Sequence, residues 1–452
     1  MSFAFASNLF HAIALEAHSL GKGVLAGDEI AAKLASGSGD LAARLKAVLT
    51  DPAGLRSVFT SLRAFAPNIA TDKTFVTAYP CDGSVIVTLA ADVREVLDRQ
   101  GDFEVVYEPR MRKITGGPNF FLGMQDGAEY QLNASIMRLA AQRGDVADIV
   151  VPKARDAARR IVAAHPHEID LPQVLTTVVP ALMVREYFGV DTASVPDLVE
   201  WTTAMFWYLF ADLQGDPVVE SKALDYAGQC LSAIDAAIAR LDANPGGPVT
   251  VLKRAVALRD AGAGGFGGAG IRNNMIGLVI GAIPTISKAC VQALDVLLDH
   301  PDMLAQAQAA AARGDEQAVG SILFEALRFN PVNPVIYRRA TRDCEIASGT
   351  TRACQVKKGA MVFASNLSAM FDAAVVDDPD AFRTDRPWDI YILWGYGLHR
   401  CFGDAINRAI IPALMTPLLA GAPLARADGA AGRPDTETPF PQHFTVMRRG
   451  PE

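Results

Sequence analysis

The sequence predicts a mainly α fold with small β-sheets. Apolar residues recur at helical spacing over most of the chain, and alternating β-branched runs are short and few. Half of the 452 residues are hydrophobic and only 20% are charged, enough to bury a large core. No shift in composition marks a boundary, so residues 1–452 read as a single domain.

Taken in order, helical spacing runs over Asp28–Leu49, Val93–Gln100, Ala128–Arg143, Pro152–Ala164 and Pro196–Leu213. It resumes over Val219–Leu241, Gly270–His300, Pro301–Arg313 and Asp315–Arg328, and Asp404–Leu419 reads mostly as helix. Pro412 and Pro417 predict that this last helix is shortened or broken. Thr74–Tyr79 and Val85–Leu89 flank Cys81-Asp82-Gly83 and predict a hairpin. Val335–Arg339, Cys344–Ile346 and Met361–Ala364 predict a second small sheet. Ala243–Pro248 is a helix-breaking loop. Gly262–Gly270 contains a formal GxGxxG, but it follows a charged helical stretch and not a strand. It reads as a flexible loop, not a nucleotide site.

The net charge of −8 argues against a nucleic-acid partner. Cys81, Cys230, Cys290, Cys344, Cys354 and Cys401 show no CxxC spacing and read as reduced cytosolic thiols. Met1–Leu25 lacks a basic leading segment and contains His11, Glu16 and His18, so it reads as neither signal peptide nor membrane anchor. The strongest apolar stretch, Met275–Ser287, ends at Lys288 and is too short to span a bilayer. The expectation is a soluble, cytoplasmic protein.

Chemistry concentrates in Trp394-Gly395-Tyr396-Gly397-Leu398-His399-Arg400-Cys401-Phe402-Gly403. Glycines let the backbone turn tightly and approach a sulfur, where amide N–H groups tune it. A helix following the cysteine presents its positive end to a thiolate. This is what holding a metal by one thiolate requires. Zinc through His399 and Cys401 lacks the further ligands a structural site needs. An ordinary turn cysteine is the plainer alternative.

The run resembles the heme-binding signature of the cytochrome P-450 family, Phe-x-x-Gly-x-His-x-Cys-x-Gly. Gly397, His399, Cys401 and Gly403 match, Arg400 suits the pattern, and Trp394 replaces the phenylalanine. The resemblance spans roughly Val85 to Arg408. It implies the cytochrome P-450-like fold of the soluble bacterial members and heme b (iron protoporphyrin IX) as cofactor. Cys401 is the implied axial iron ligand, in a loop shaped by Gly395, Gly397 and Gly403. Such a thiolate favours O–O cleavage.

Further residues take implied roles. Glu325-Ala326-Leu327-Arg328 is an ExxR on a helix, whose Glu325 and Arg328 share a face. In the family this pair is structural. Arg338, with Arg339 as fallback, and His399 are the implied contacts to the heme propionates. A His and an Arg expected at the start of another helix are here Tyr130 and Ala134. Tyr130 keeps one donor, and Arg138 is the substitute one turn further on. In Gly281-Ala282-Ile283-Pro284-Thr285-Ile286, Thr285 matches the threonine that delivers protons to oxygen, and Pro284 replaces an acid. Pro284 predicts a kinked helix with a freed Ile280 carbonyl and no carboxylate relay. Ala282, Ile283, Val332, Val335 and Phe206, the last within the aromatic run Trp201–Phe210, are the implied substrate pocket, and an aromatic cluster suits a lipophilic ligand.

The expected activity is monooxygenation of an apolar small molecule with dioxygen. Its electrons come from a separate ferredoxin and ferredoxin reductase, since the sequence holds no flavin domain. Pro284 supports an alternative that consumes peroxide: a peroxygenase, or a lipid-hydroperoxide isomerase, lyase or dehydratase. A non-catalytic heme carrier or sensor is the third reading.

Overall fold

The computed structural model describes residues 3–37, 41–263 and 268–448. Residues 264–267, the centre of the glycine loop, lie outside the described residues. The chain opens with α1 (Phe3–Ser36), α2 (Leu41–Thr50), α3 (Pro52–Phe65), β1 (Asn68–Thr71), β2 (Ser84–Val87), α4 (Ala90–Asp98) and β3 (Phe103–Glu104). There follow α5 (Glu108–Thr115), α6 (Ala128–Ala140), α7 (Val151–Ala164), β4 (Glu168–Asp170), α8 (Val178–Met183) and α9 (Val195–Phe206). Next come α10 (Pro217–Ala243), α11 (Val251–Asp260), α12 (Gly268–Leu298), α13 (Pro301–Ala312) and α14 (Glu316–Phe329). The remainder is β5 (Ile336–Ala340), β6 (Cys344–Ile346), β7 (Cys354–Val356), β8 (Met361–Ala364), α15 (Asn366–Ala369), α16 (Asp404–Leu419), β9 (Leu424–Arg426) and β10 (Thr445–Arg448). The fold is mainly helical with small sheets, as the helical spacing predicts.

The chain divides into two compact units. The first comprises Met1–Val76, Pro80–Glu104 and Arg328–Arg400. Its five-stranded sheet runs β1-β2-β8-β5-β3. β2 and β8 pair in parallel, and the other neighbours are antiparallel. Arg338 stands opposite Val362, and Arg339 is opposite both Met361 and Glu104. β6 and β7 form a separate hairpin. The predicted second sheet is therefore two things: β5 and β8 join β2, and only Cys344–Ile346 stands apart. The predicted helix Asp28–Leu49 is also interrupted, with α1 ending at Ser36 before Gly37.

The second unit comprises Thr77–Tyr79, Val105–Leu327 and Cys401–Glu452. The expected strand Thr74–Tyr79 is not one. Thr77 and Ala78 donate their amides to the Leu213 carbonyl at 2.9 and 3.1 Å, and the antiparallel partner of β2 is the short segment Asn68–Thr71. Burial at Val76 and Tyr79 follows no two-residue alternation, so pattern alone misplaced the strand.

α12 is the core helix of this unit. It is long and apolar enough to cross a membrane by length and composition, but 78% of its apolar window is buried. Phe120 packs so closely on Gly277 that a Cβ there would lie 2.7 Å from the ring. Asn274 accepts from the Phe121 amide at 3.2 Å and donates to Asn133 of α6 at 2.7 Å. The helix continues unbroken through Pro284. α16 likewise runs through Pro412 and Pro417, contrary to the expected break. Gly320 of α14 explains part of this: a Cβ there would lie 3.0 Å from the Pro412 ring, so the glycine makes room for it. Packing on such a scale offsets the amide a proline removes.

Candidate active site

In the second unit, Cys401 is the one exposed cysteine of the six, and no disulfide engages any of them. Its carbonyl accepts from the Asp404 amide at 3.2 Å, and the Gly403 carbonyl accepts from the Asn407 amide at 2.8 Å. These bonds start α16 three residues past the sulfur. A Cβ on Gly403 would lie 3.8 Å from the Cys401 Sγ, so backbone lies close beside the sulfur. Phe402 packs edge-on against Phe121, with ring centroids 5.1 Å apart. The Phe121 amide binds Asn274, so Phe121 ties the cysteine segment to α12.

On α12, the buried stretch is interrupted at Gly281, Ala282, Thr285 and Lys288, which keep partial exposure. At about 100° per residue, Gly281, Thr285 and Lys288 share one face. A Cβ on Gly281 would meet nothing within 4 Å. Thr285 donates its hydroxyl to the Gly281 carbonyl, one turn back. Ile283 is fully buried, and at about 160° from Thr285 it faces away. Ile283 and Thr285 thus lie on opposite faces of α12, a distinction the apolar sequence pattern did not draw.

The aromatic run divides similarly. Tyr208 is buried beneath the Arg110 guanidinium and donates to Glu220 at 3.1 Å. Phe206 and Phe210 join a ring chain instead: Tyr107–Phe210 at 4.8 Å, Phe210–Phe206 at 4.5 Å and Phe206–Phe440 at 5.3 Å. Tyr130 on α6 is buried and hydrogen-bonded to Arg138, the residue two turns along the same face. Burial pushes its phenol up, opposed by that guanidinium. Ala134 between them is fully buried.

In the first unit, Arg338 is 3% exposed and donates to the Tyr337 carbonyl at 3.0 Å. Arg339 is committed elsewhere, to Glu104 at 2.7 Å and the Pro80 carbonyl at 3.1 Å. That commitment disfavours the fallback. Gly395 and Gly397 adopt φ of 78° and 69°, where glycine is favoured. A Cβ on Gly397 would lie 2.7 Å from the Leu97 carbonyl, and one on Gly395 lies 3.7 Å from Ile336 of β5. The glycine turn therefore packs beside the strand carrying Arg338. Trp394 stacks on Trp388 at 5.5 Å, His399 is half-buried, and Arg400 is exposed. Val332 and Val335 are half-buried.

Glu325 and Arg328 are both fully buried, which removes the surface-pair reading. Arg328 donates to the carbonyls of Met370, Pro379 and Ala381 at 3.2, 2.7 and 3.1 Å, and lies over Phe329 and Phe371.

Comparison with known proteins gives these features a context. No protein-family model matches the chain. It is 26% identical over 346 residues to cytochrome P450 105A3 of Streptomyces carbophilus, covering 75% of this chain and 78% of that one. It is 24% identical over 349 residues to a vitamin D3 dihydroxylase of Streptomyces griseolus, with the same coverage. A mutant of P450 EryK in complex with erythromycin B superposes with a TM-score of 0.71 at 22% identity, covering 88% of this chain and 97% of the other. The chain is of the cytochrome P450 type. It shares the heme-thiolate oxidoreductase class of these proteins, monooxygenases with hydroxylases among the relatives. A shorter similarity, 39% over 83 residues, links this P450 to a 7,8-linoleate diol synthase of Pyricularia oryzae, covering 18% of this chain and 7% of that one.

Within each unit, the residue types fit the heme such a protein implies. An exposed thiol lies close beside glycine backbone, a buried arginine and a half-buried imidazole are suited to carboxylates, and the face of α12 at Gly281 is open. Sequence reasoning missed Lys288 and Phe440. Lys288 was legible as a lysine one turn past Thr285 inside an apolar helix. Phe440 carried no signal, because only folding brings it to the ring chain. A groove of about 1040 Å³, lined by residues such as Lys153, Arg185 and Arg240, contains none of the expected site residues.

Proposed function

We propose that this P450 hydroxylates an apolar small molecule with dioxygen and electrons from a separate ferredoxin and ferredoxin reductase, acting in the cytoplasm as one catalytic domain. The observation that carries this is the exposed Cys401, beside Gly403 and ahead of α16, in a unit whose core helix opens at Gly281 and Thr285. Cys401 would hold heme b by its thiolate, and Arg338, His399 and Tyr130 would donate to the propionates. Heme, when bound, supplies an iron centre at which an oxidant is activated. Thr285 would hold a proton at Oγ and pass it on, with its hydroxyl oriented by the Gly281 carbonyl. Pro284 offers no carboxylate, so water or the substrate itself must resupply that proton. Phe206 and Ala282 would line the apolar chamber.

Pro284, which leaves no carboxylate beside Thr285, favours a second reading, in which a hydroperoxide is the oxidant and no electron donor is needed. Two measurements test both readings. Reduced protein under carbon monoxide should show the red-shifted Soret band of a thiolate ligand, and Cys401→Ala should lose it. A retained band would remove Cys401 as ligand. Turnover is then compared with dioxygen plus electron donors, and with a hydroperoxide alone. Product formed efficiently only in the second case would replace the monooxygenase reading with the peroxide one.

A further inference from the structure

Lys288 is the residue the activity above does not use. It lies on α12 one turn after Thr285, on the face that also carries Gly281. Its ammonium sits 5.5 Å from the centre of the Phe440 ring, at the end of the chain Phe440–Phe206–Phe210–Tyr107. Among the described residues no carboxylate, carbonyl or hydroxyl is paired with it. Burial alone pushes its amine down to about 8, with no acidic neighbour among the described residues to offset it. The residue keeps partial accessible surface among otherwise buried neighbours on its helix.

An uncompensated cation in such a place is costly to the fold. The purely structural alternative is a lysine whose stem fills space while its head reaches water. Its contact with an aromatic face, with no polar partner among the described residues, speaks against that. A buried cation beside an aromatic wall and one turn from the proton-handling threonine is matched by an anion delivered with the ligand.

We propose that Lys288 binds a carboxylate on the substrate, so that this P450 acts on apolar carboxylic acids. The inference rests on the assignment of the α12 face to the substrate chamber. The ammonium would pair with the carboxylate, and Phe206, Phe210 and Phe440 would cover the apolar body. Because the pair would form away from water, acid should be strongly preferred over neutral ester.

The test uses heme-loaded protein and calorimetry with three matched pairs: dodecanoate, 4-phenylbutanoate and abietate, each against its methyl ester. In the wild type at least one acid should bind roughly 30-fold more tightly than its ester, the scale of a hydrogen bond to a charged group. Lys288→Met should abolish that preference while leaving ester affinity nearly unchanged, and Lys288→Arg should keep most of it. If no acid binds more tightly than its ester, the proposal is overturned. A preference that survives in Lys288→Met overturns it equally. The carbon monoxide spectrum of each variant separates this failure from failure of the parent reading. A lost preference with an intact thiolate band is the expected result, and a wild type without that band would instead sink the heme-thiolate assignment.

Discussion

Arg328 and Lys288 are both cations enclosed by protein, and their surroundings differ in kind. Arg328 donates to three carbonyls and lies over two aromatic rings. Lys288 has one ring near its ammonium and is depressed by burial alone. A saturated buried charge is part of the scaffold, because its removal strands the groups it satisfied. An unsaturated one is a standing destabilisation that a ligand relieves. Burial alone therefore does not tell the two apart; the inventory of partners does.

The largest effect should come from Arg328→Ala. Loss of the guanidinium strands the Met370, Pro379 and Ala381 carbonyls, costing on the order of 4 kcal/mol. Urea denaturation should show aggregated or heme-free protein. A midpoint near wild type would break the comparison at its structural end.

Lys288→Met should act in the opposite direction. The folded-state pKa is lowered from 10.5 to about 8, so the folded protein binds fewer protons than the unfolded chain between those values. The penalty is complete below about pH 8 and vanishes above about pH 10.5. Lys288→Met should therefore gain on the order of 3 kcal/mol at pH 7. The gain should shrink steadily when the unfolding midpoint is measured at pH 9 and pH 10. A pH-independent difference would show that packing, not charge, distinguishes the two proteins.

Arg338 and Arg339 sharpen the comparison on a single strand. Arg339 is already neutralised by Glu104, so Arg339→Gln should lose no more than about 1 kcal/mol of stability and leave heme loss unchanged. Arg338→Gln should speed transfer of heme to apomyoglobin roughly 10-fold, the loss of one charged hydrogen bond. Equal rates for the two variants would remove Arg338 from the propionate role.

The smallest stability effect belongs to Thr285→Ala. Its hydroxyl donates to a carbonyl of its own helix, a bond worth under about 1 kcal/mol, so the unfolding midpoint should hardly move. Its chemistry should move more. With surrogate ferredoxin, NADH consumption should continue while electrons go to hydrogen peroxide. Unchanged coupling would mean that the threonine handles no proton.

The sequence by itself determined the helical architecture, the cysteine segment and the ExxR. Each is local: helical spacing reports a buried face directly, and the glycines around Cys401 are demanded by backbone geometry within the segment. Gly395 and Gly397 hold the left-handed backbone that their identity foretold. Pairing between distant segments was not legible. Asn68–Thr71 is only four residues long and mixes polar and apolar side chains, so only its register with Ser84–Val87 marks it as a strand. Pro412 and Pro417 looked like breaks in α16, because the sequence does not show the packing that holds a helix together, such as Gly320 against Pro412. Ile283 and Lys288 are the sharpest cases. One is apolar and faces away from Thr285; the other is charged and shares its face. Only the tertiary structure decides such differences, because packing sets which face of α12 stays open and whether the folded chain supplies a partner for each charge it holds.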